Sequence, residues 1–227
     1  MKIALIGAAL IAIAAATAPA AAQEEDRTGI RAGDVLLRAR AIMVAPNERS
    51  SDILPAFPGE RASVDNSVMP ELDLTYMATD HIGFELIAAT TRHSASGRSG
   101  TTRSIGKLAN TWVLPPTLTA QYHFNPRGSI RPYAGAGINY TIFWDEEPTR
   151  GLTGAVGQTR VHMDDSVGWA AQLGVDVDLT PRFFLNLDAK YIDIDTEARL
   201  DTTAAGTQTV KLDLDPLVVG VGIGLRL

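Results

Sequence analysis

The sequence predicts an all-β fold, an eight-stranded antiparallel up-and-down β-barrel that crosses a membrane. Three observations predict it. Apolar residues recur at every second position in eight separate stretches; the segments joining these stretches are alternately short and long; and an export leader precedes them.

The leader comes first. Lys2 is followed by the apolar run Ile3 to Ile13 and an Ala-rich stretch ending Ala20-Ala21-Ala22, which reads as a cleavable signal peptide over residues 1–22. Its apolar part falls short of the roughly 20 residues needed to anchor a helix in a bilayer. Residues 23–227 are then the barrel, with a short periplasmic segment over 23–30. Without Lys2, 19 basic side chains face 26 acidic ones, a balance that excludes nucleic acid as a partner. The chain has no cysteine, so disulfides and thiolate metal sites are excluded, and no cofactor is expected. Beyond the leader no apolar run is long enough for a membrane helix, so insertion must use strands.

The first stretch sets Val35, Leu37, Ala39, Ala41 and Met43 against Leu36, Arg38, Arg40 and Ile42. The second sets Leu72, Leu74 and Tyr76 against Glu71, Asp73 and Thr75; after the tight turn Thr79-Asp80 the third resumes with Ile82, Phe84, Leu86 and Ala88. The fourth, Leu114 to Phe124, opposes Leu118, Ala120 and Tyr122 to Thr117, Thr119, Gln121 and His123. The fifth alternates Ala134, Ala136, Ile138, Tyr140 and Ile142 with Gly135, Gly137, Asn139 and Thr141. Val167 to Leu179 is the cleanest, and Phe183 to Tyr191 and Leu217 to Leu227 complete the set. Turns at 79–80, 125–130 and 180–182 are short, whereas 45–67, 93–109, 144–163 and 195–210 are expected as long loops, the asymmetry of an outer-membrane barrel.

Alternation does not say which face meets lipid, since a lipocalin-like barrel shows the same pattern turned inside out. The glycines at 135, 137, 168, 174, 220, 222 and 224 all lie opposite the apolar face and suit the crowded bore of an eight-stranded barrel. Aromatic residues near strand ends on the apolar face, among them Tyr122, Phe124, Tyr140, Trp169, Phe183 and Tyr191, form the expected girdles. The apolar face is therefore turned to lipid.

The block Thr111-Trp112, Leu114 to Phe124 and Arg131 to Tyr140 resembles the OmpW family of small outer-membrane barrels, and the likeness extends over the whole mature chain. The resemblance implies a narrow, partly hydrophobic channel associated with passage of small hydrophobic molecules across the outer membrane. It also implies outer-membrane lipid, lipopolysaccharide and the barrel-assembly machinery as partners. One departure is the chain end, Arg226-Leu227, where such barrels usually carry an aromatic residue.

Placing inward residues by depth divides the bore. Toward the periplasm lie Arg38, Glu85, Asp176, Asp178, Asp188 and Arg226, a charged plug; toward the outside lie Ile42, Ile87, Phe143, Ile192 and Ile194, an apolar substrate path, although Glu71 and Asp73 break the trend. A solute admitted from above would leave sideways. Pro115 and Pro116 mark a candidate lateral gap, because proline cannot donate to a strand ladder; the plainer reading is that they only begin the strand.

Two rival classes are weighed. Catalysis would use His93-Ser94, but the sequence offers no nearby carboxylate to orient the imidazole, so no catalytic residue is assigned. His81, His123 and His162 lack metal-ligand spacing. A receptor would act through its loops, among which 144–163 has Trp144, Asp145, Glu146, Glu147, Asp164 and Asp165 in or beside it.

Overall fold

The computed structural model describes residues 28–227; the leader over 1–22 and the start of the 23–30 segment lie outside the described residues. In chain order the elements are β1 (Val35–Ala45), β2 (Arg49–Ser50), β3 (Ala62–Val64), β4 (Ser67–Met77), β5 (Ile82–Ala89), β6 (Thr91–Gly97), α1 (Gly100–Ile105), β7 (Lys107–Leu114) and β8 (Thr117–His123). They continue as β9 (Ile130–Pro148), α2 (Arg150–Val156), β10 (Thr159–Met163), β11 (Ser166–Asp178), β12 (Phe183–Ile192), β13 (Asp195–Thr202), β14 (Gly206–Asp213) and β15 (Leu217–Arg226).

Eight of these form the wall. Strands β1, β4, β5, β8, β9, β11, β12 and β15 each pair antiparallel with the next, and β15 returns to β1 with Leu36 opposite Arg226 and Ala45 opposite Leu217. The sheet is thus closed and has no free edge, which is what a strand structure needs in hydrocarbon. The expected strands match these eight within a few residues.

The face pattern follows the alternation. Leu72, Ile138, Val167 and Leu173 are 58%, 65%, 76% and 66% exposed, whereas Arg38 is fully buried, so large apolar side chains point out and charges point in. Inward glycine makes room at two tight points. A Cβ on Gly174 would run into the Tyr133 ring and one on Gly224 into the Phe184 ring, so each glycine accommodates the inward aromatic ring of its direct partner on the neighbouring strand. The short turns close the lower rim: Thr180 Oγ1 accepts from the Phe183 amide at 2.9 Å, and Thr79 Oγ1 accepts from the Ile82 amide at 2.9 Å.

The upper connections depart from expectation. Segments 45–67, 93–109, 144–163 and 195–210 are not open loops: β3, β6 and β7 continue one side of the wall upward beside β9, and β10, β13, β14 and β2 form a second sheet. The reason is visible in the residues. Thr196, Ala198 and Leu200 on β13 and Val210 and Leu212 on β14 are buried inward, while Glu197, Arg199 and Lys211 face out. Period two persists, but above the lipid it is the outer face that turns polar.

Candidate functional site: a charged plug beneath an apolar chamber

Two neighbours on one inward face of β1 organise the middle of the bore. Arg38 reaches Asp176 at 2.9 Å, Asp73 at 3.2 Å and Glu85 at 3.4 Å, and donates to Thr75 Oγ1 at 2.7 Å. Arg40 reaches Glu71 at 2.9 Å, Asp73 at 2.5 Å, Glu85 at 3.0 Å and Asp188 at 3.3 Å. Lys190 completes the layer at 2.8 Å from Glu71 and 3.1 Å from Asp188. Three cations therefore face five carboxylates. Neutral groups fill the remaining sites: Gln172 Nε2 donates to Glu85 and to Asp188 at 2.8 Å each, Tyr133 Oη donates to Asp188 at 2.8 Å, and Asn186 Nδ2 donates to Asp176 at 2.7 Å. Both arginine side chains are fully buried, so this layer leaves no open bore.

Of the six residues expected in the plug, Arg38, Glu85, Asp176 and Asp188 meet in it. The other two sit lower. Asp178 pairs with Arg131, and Arg226 donates to the Gly29 carbonyl. The Phe184 ring lies between the two levels, under the Arg38 guanidinium at 5.5 Å and against that of Arg131 at 5.4 Å.

Glu71 and Asp73 do not break the trend. The register sets Glu71 opposite Arg40 and Asp73 opposite Arg38, so both belong to the plug. Reading depth by counting along each strand misplaces them because strands in a tilted barrel are staggered. Arg40 and Lys190 share the parity of Arg38 and Asp188, the signal that would have found them.

Above the plug the bore becomes an apolar chamber of about 120 Å³. Ile42, Ile87, Phe143, Ile192 and Ile194, all expected there, are buried in its wall. Its upper part is built from residues that sequence reasoning left outside the strands: Leu152 and Val156 of α2, Leu200 of β13 and Leu212 of β14. Glu71 and Lys190 are at its floor.

Pro115 and Pro116 stand between β7 and β8. The β5–β8 ladder ends at Ile87 opposite Thr117, and the β6–β7 ladder starts at Thr91 opposite Val113, so residues 88–90 and 114–116 face each other outside both ladders. On its other side the chain is held, with the Tyr140 amide donating to the Pro116 carbonyl at 3.1 Å. Pro115 also borders the chamber.

The rival residues have other partners. His93 Nδ1 lies 3.0 Å from the Asp65 carbonyl and Nε2 3.1 Å from Thr91 Oγ1, while the Ser94 hydroxyl donates to Asn110 at 2.8 Å. The fold does bring a carboxylate near the imidazole, Asp65 at 3.9 Å, which sequence distance hid; it accepts the Ser94 amide at 2.7 Å. His81 stacks on Tyr122, His123 is buried against Tyr133, and His162 is exposed. The acidic residues of 144–165 act as fasteners: Asp165 accepts from Tyr140 Oη at 2.9 Å, Glu146 from the Met163 amide at 3.3 Å, Glu147 pairs with Arg92 at 3.1 Å, and Trp144 stacks on Trp112.

Known proteins share this architecture. The chain is 36% identical over 228 residues to outer membrane protein W of Vibrio cholerae, covering all of both chains, and 39% identical over 196 residues to that of Escherichia coli, covering 86% of this chain and 89% of the relative. The crystal structure of the outer membrane protein OprG from Pseudomonas aeruginosa superposes with a TM-score of 0.83 at 34% identity, covering 89% of this chain and 99% of that one. The sequence model of the OmpW family matches residues 31–227, and the chain is accordingly an outer-membrane β-barrel protein belonging to the OmpW family.

Proposed function

We propose that the chamber receives small hydrophobic molecules from outside the cell and releases them sideways into the membrane between the Pro115-Pro116 segment and β5. The observation that carries this reading is a single space with an apolar wall, a floor closed by ion pairs and a side reaching the interrupted ladder at Pro115. Burying apolar surface contributes about 25 cal/mol per Å², so even a small hydrocarbon gains a few kcal/mol on entry. A charged solute finds no counter-charge on Ile87, Phe143 or Ile192 and would lose its hydration. The buried network beneath offers it no path straight to the periplasm.

Replacing Pro115 by Val supplies a side chain that fits a strand and an amide that faces β5 and can donate across the gap, whereas position 116 bonds toward β9. Uptake of a hydrophobic dye by intact cells should then fall while barrel content by circular dichroism is kept; unchanged uptake would remove the lateral exit from the scheme. A second reading, a surface receptor without transport, is favoured by the two ordered upper sheets. It cannot be tested by deleting 144–163, because α2 supplies Leu152 and Val156 to the chamber. Exchanging outward residues such as Glu197 and Lys211 separates the two: loss of cell-surface binding with normal dye uptake marks a receptor.

A further inference from the structure

The outward face of β9 changes character as the strand rises. Ile138 and Tyr140 are exposed on the lipid-facing wall, Ile142 follows them, and Trp144 comes next on the same face. At about 3.3 Å per residue Trp144 lies about 13 Å along the strand beyond Tyr140, or about 10 Å in height for a strand tilted by about 40°. Measured from an aromatic girdle, that height falls in the polar headgroup layer outside the hydrocarbon.

A row of three side chains crosses neighbouring strands at this level. Arg92 of β6 is the direct partner of Trp112 on β7, and Trp112 is the partner of Trp144 on β9. The two indoles stack with centroids 5.6 Å apart, and the Arg92 guanidinium lies 5.9 Å from the Trp112 ring centre. Lys107 reaches back to donate to the Ser94 hydroxyl at 3.2 Å, two residues from Arg92 on β6, so two cations lie about 7 Å apart along one strand. Arg92, Lys107 and both tryptophans take no part in the chamber wall.

The cations are only lightly countered. Lys107 meets no carboxylate within ion-pair distance among the described residues. Arg92 meets Glu147 at 3.1 Å, but both ends of that pair are about half exposed, and such pairs contribute little. The other nearby carboxylate, Asp65, is committed to the Ser94 amide at 2.7 Å.

We propose that this patch seats the headgroup of a lipopolysaccharide molecule of the outer leaflet, with a lipid A phosphate between Arg92 and Lys107 and its sugar against Trp112 and Trp144. A phosphate oxygen accepts charge-assisted hydrogen bonds from guanidinium and ammonium alike, and an indole suits a boundary that is apolar below and wet above. The patch is continuous with the lipid-facing wall: Leu114 and Ile142, paired directly beneath the tryptophans, offer the acyl chains a path down to the exposed Ile138. The inference rests on the orientation of the wall in an outer membrane and not on transport through the chamber.

The test uses the folded mature chain in a zwitterionic detergent with Trp169→Phe, so that only Trp112 and Trp144 of the three tryptophans report. It is titrated with lipid A bearing both phosphates, with lipid A stripped of them, and with phosphatidylglycerol. A saturable change in tryptophan emission is expected with phosphorylated lipid A alone, and it should weaken as salt is added. Affinity should fall at least about tenfold in Arg92→Gln and in Lys107→Gln, each of which removes a hydrogen bond to a charged group. Both side chains are exposed, so the variants keep the fold, which circular dichroism checks. No saturable change, an equal response to stripped lipid A, or equal affinity in the parent and both variants overturns the site; equal binding of phosphatidylglycerol overturns the choice of lipid A and assigns the patch to phospholipid.

Discussion

Arg40→Met and Arg38→Met remove one buried cation each while keeping much of the side-chain volume, and the contacts rank their costs. The four carboxylates that Arg40 touches each keep another cation: Glu71 and Asp188 retain Lys190 at 2.8 and 3.1 Å, Asp73 and Glu85 retain Arg38 at 3.2 and 3.4 Å. Loss of Arg38 instead leaves Asp176 with the Asn186 amide but no cation within ion-pair distance. Breaking a buried pair costs about 3–5 kcal/mol. Arg40→Met should therefore lie at the lower end, about 3 kcal/mol or roughly a hundredfold in the unfolding equilibrium, and Arg38→Met at the upper end. Urea unfolding in lipid vesicles, followed by tryptophan fluorescence, measures both. A cost for Arg40→Met equal to or above that for Arg38→Met, or below about 1 kcal/mol for either, would refute the ranking and with it the picture of a buried, mutually paired network. Planar-bilayer conductance of the same variants separates two roles, because a plug that only stabilises changes the unfolding curve and leaves ion selectivity alone.

Two further expectations concern packing and pH. Gly174→Ala forces a methyl into the Tyr133 ring, and overpacking of this kind costs about 1–3 kcal/mol; the same substitution at Gly154, where a Cβ meets nothing, is the control in the same urea series. Glu60 accepts the amides of Thr101 and Thr102 at 2.9 and 2.7 Å and so caps α1 from a distance. The Thr102 hydrogen bonds hold its carboxyl below the ordinary value of 4.5, so the cap is fully present above that pH and is lost as pH falls through the lowered folded value. Amide-exchange protection of Thr101 and Thr102 should drop over that window in the parent chain and be low at every pH in Glu60→Ala; protection that ignores both changes would rule out the cap.

Most of the wall was legible in the residues because lipid imposes one simple rule on eight strands: apolar out, small or polar in. The upper sheets were not, since outside the hydrocarbon the rule inverts. Residues such as Glu197, Arg199 and Lys211 face water on strands whose other side packs Ala198, Leu200 and Val210. Charged and Ser/Thr-rich segments of that kind resemble loops until their partners are known. Within the plug, parity identified the inward side chains but not their height, because the stagger between β1 and β4 is a property of the closed barrel and not of either strand. The chamber was legible as a set of isoleucines and Phe143, whereas its upper wall depends on where α2 and the β13–β14 hairpin fold back.

The placement of both arginines on β1 bears on how the protein is made. The first wall strand to be synthesised carries two of the three buried cations, and their partners arrive on β4, β5, β11 and β12; Arg38 must wait for Asp176, 138 positions later in the chain. A partly assembled sheet in contact with lipid would hold guanidinium and carboxylate groups with nothing opposite them, at a cost of several kcal/mol per ion. Half-built barrels are thereby disfavoured as resting states, and entry into the bilayer is coupled to completion of the whole ring.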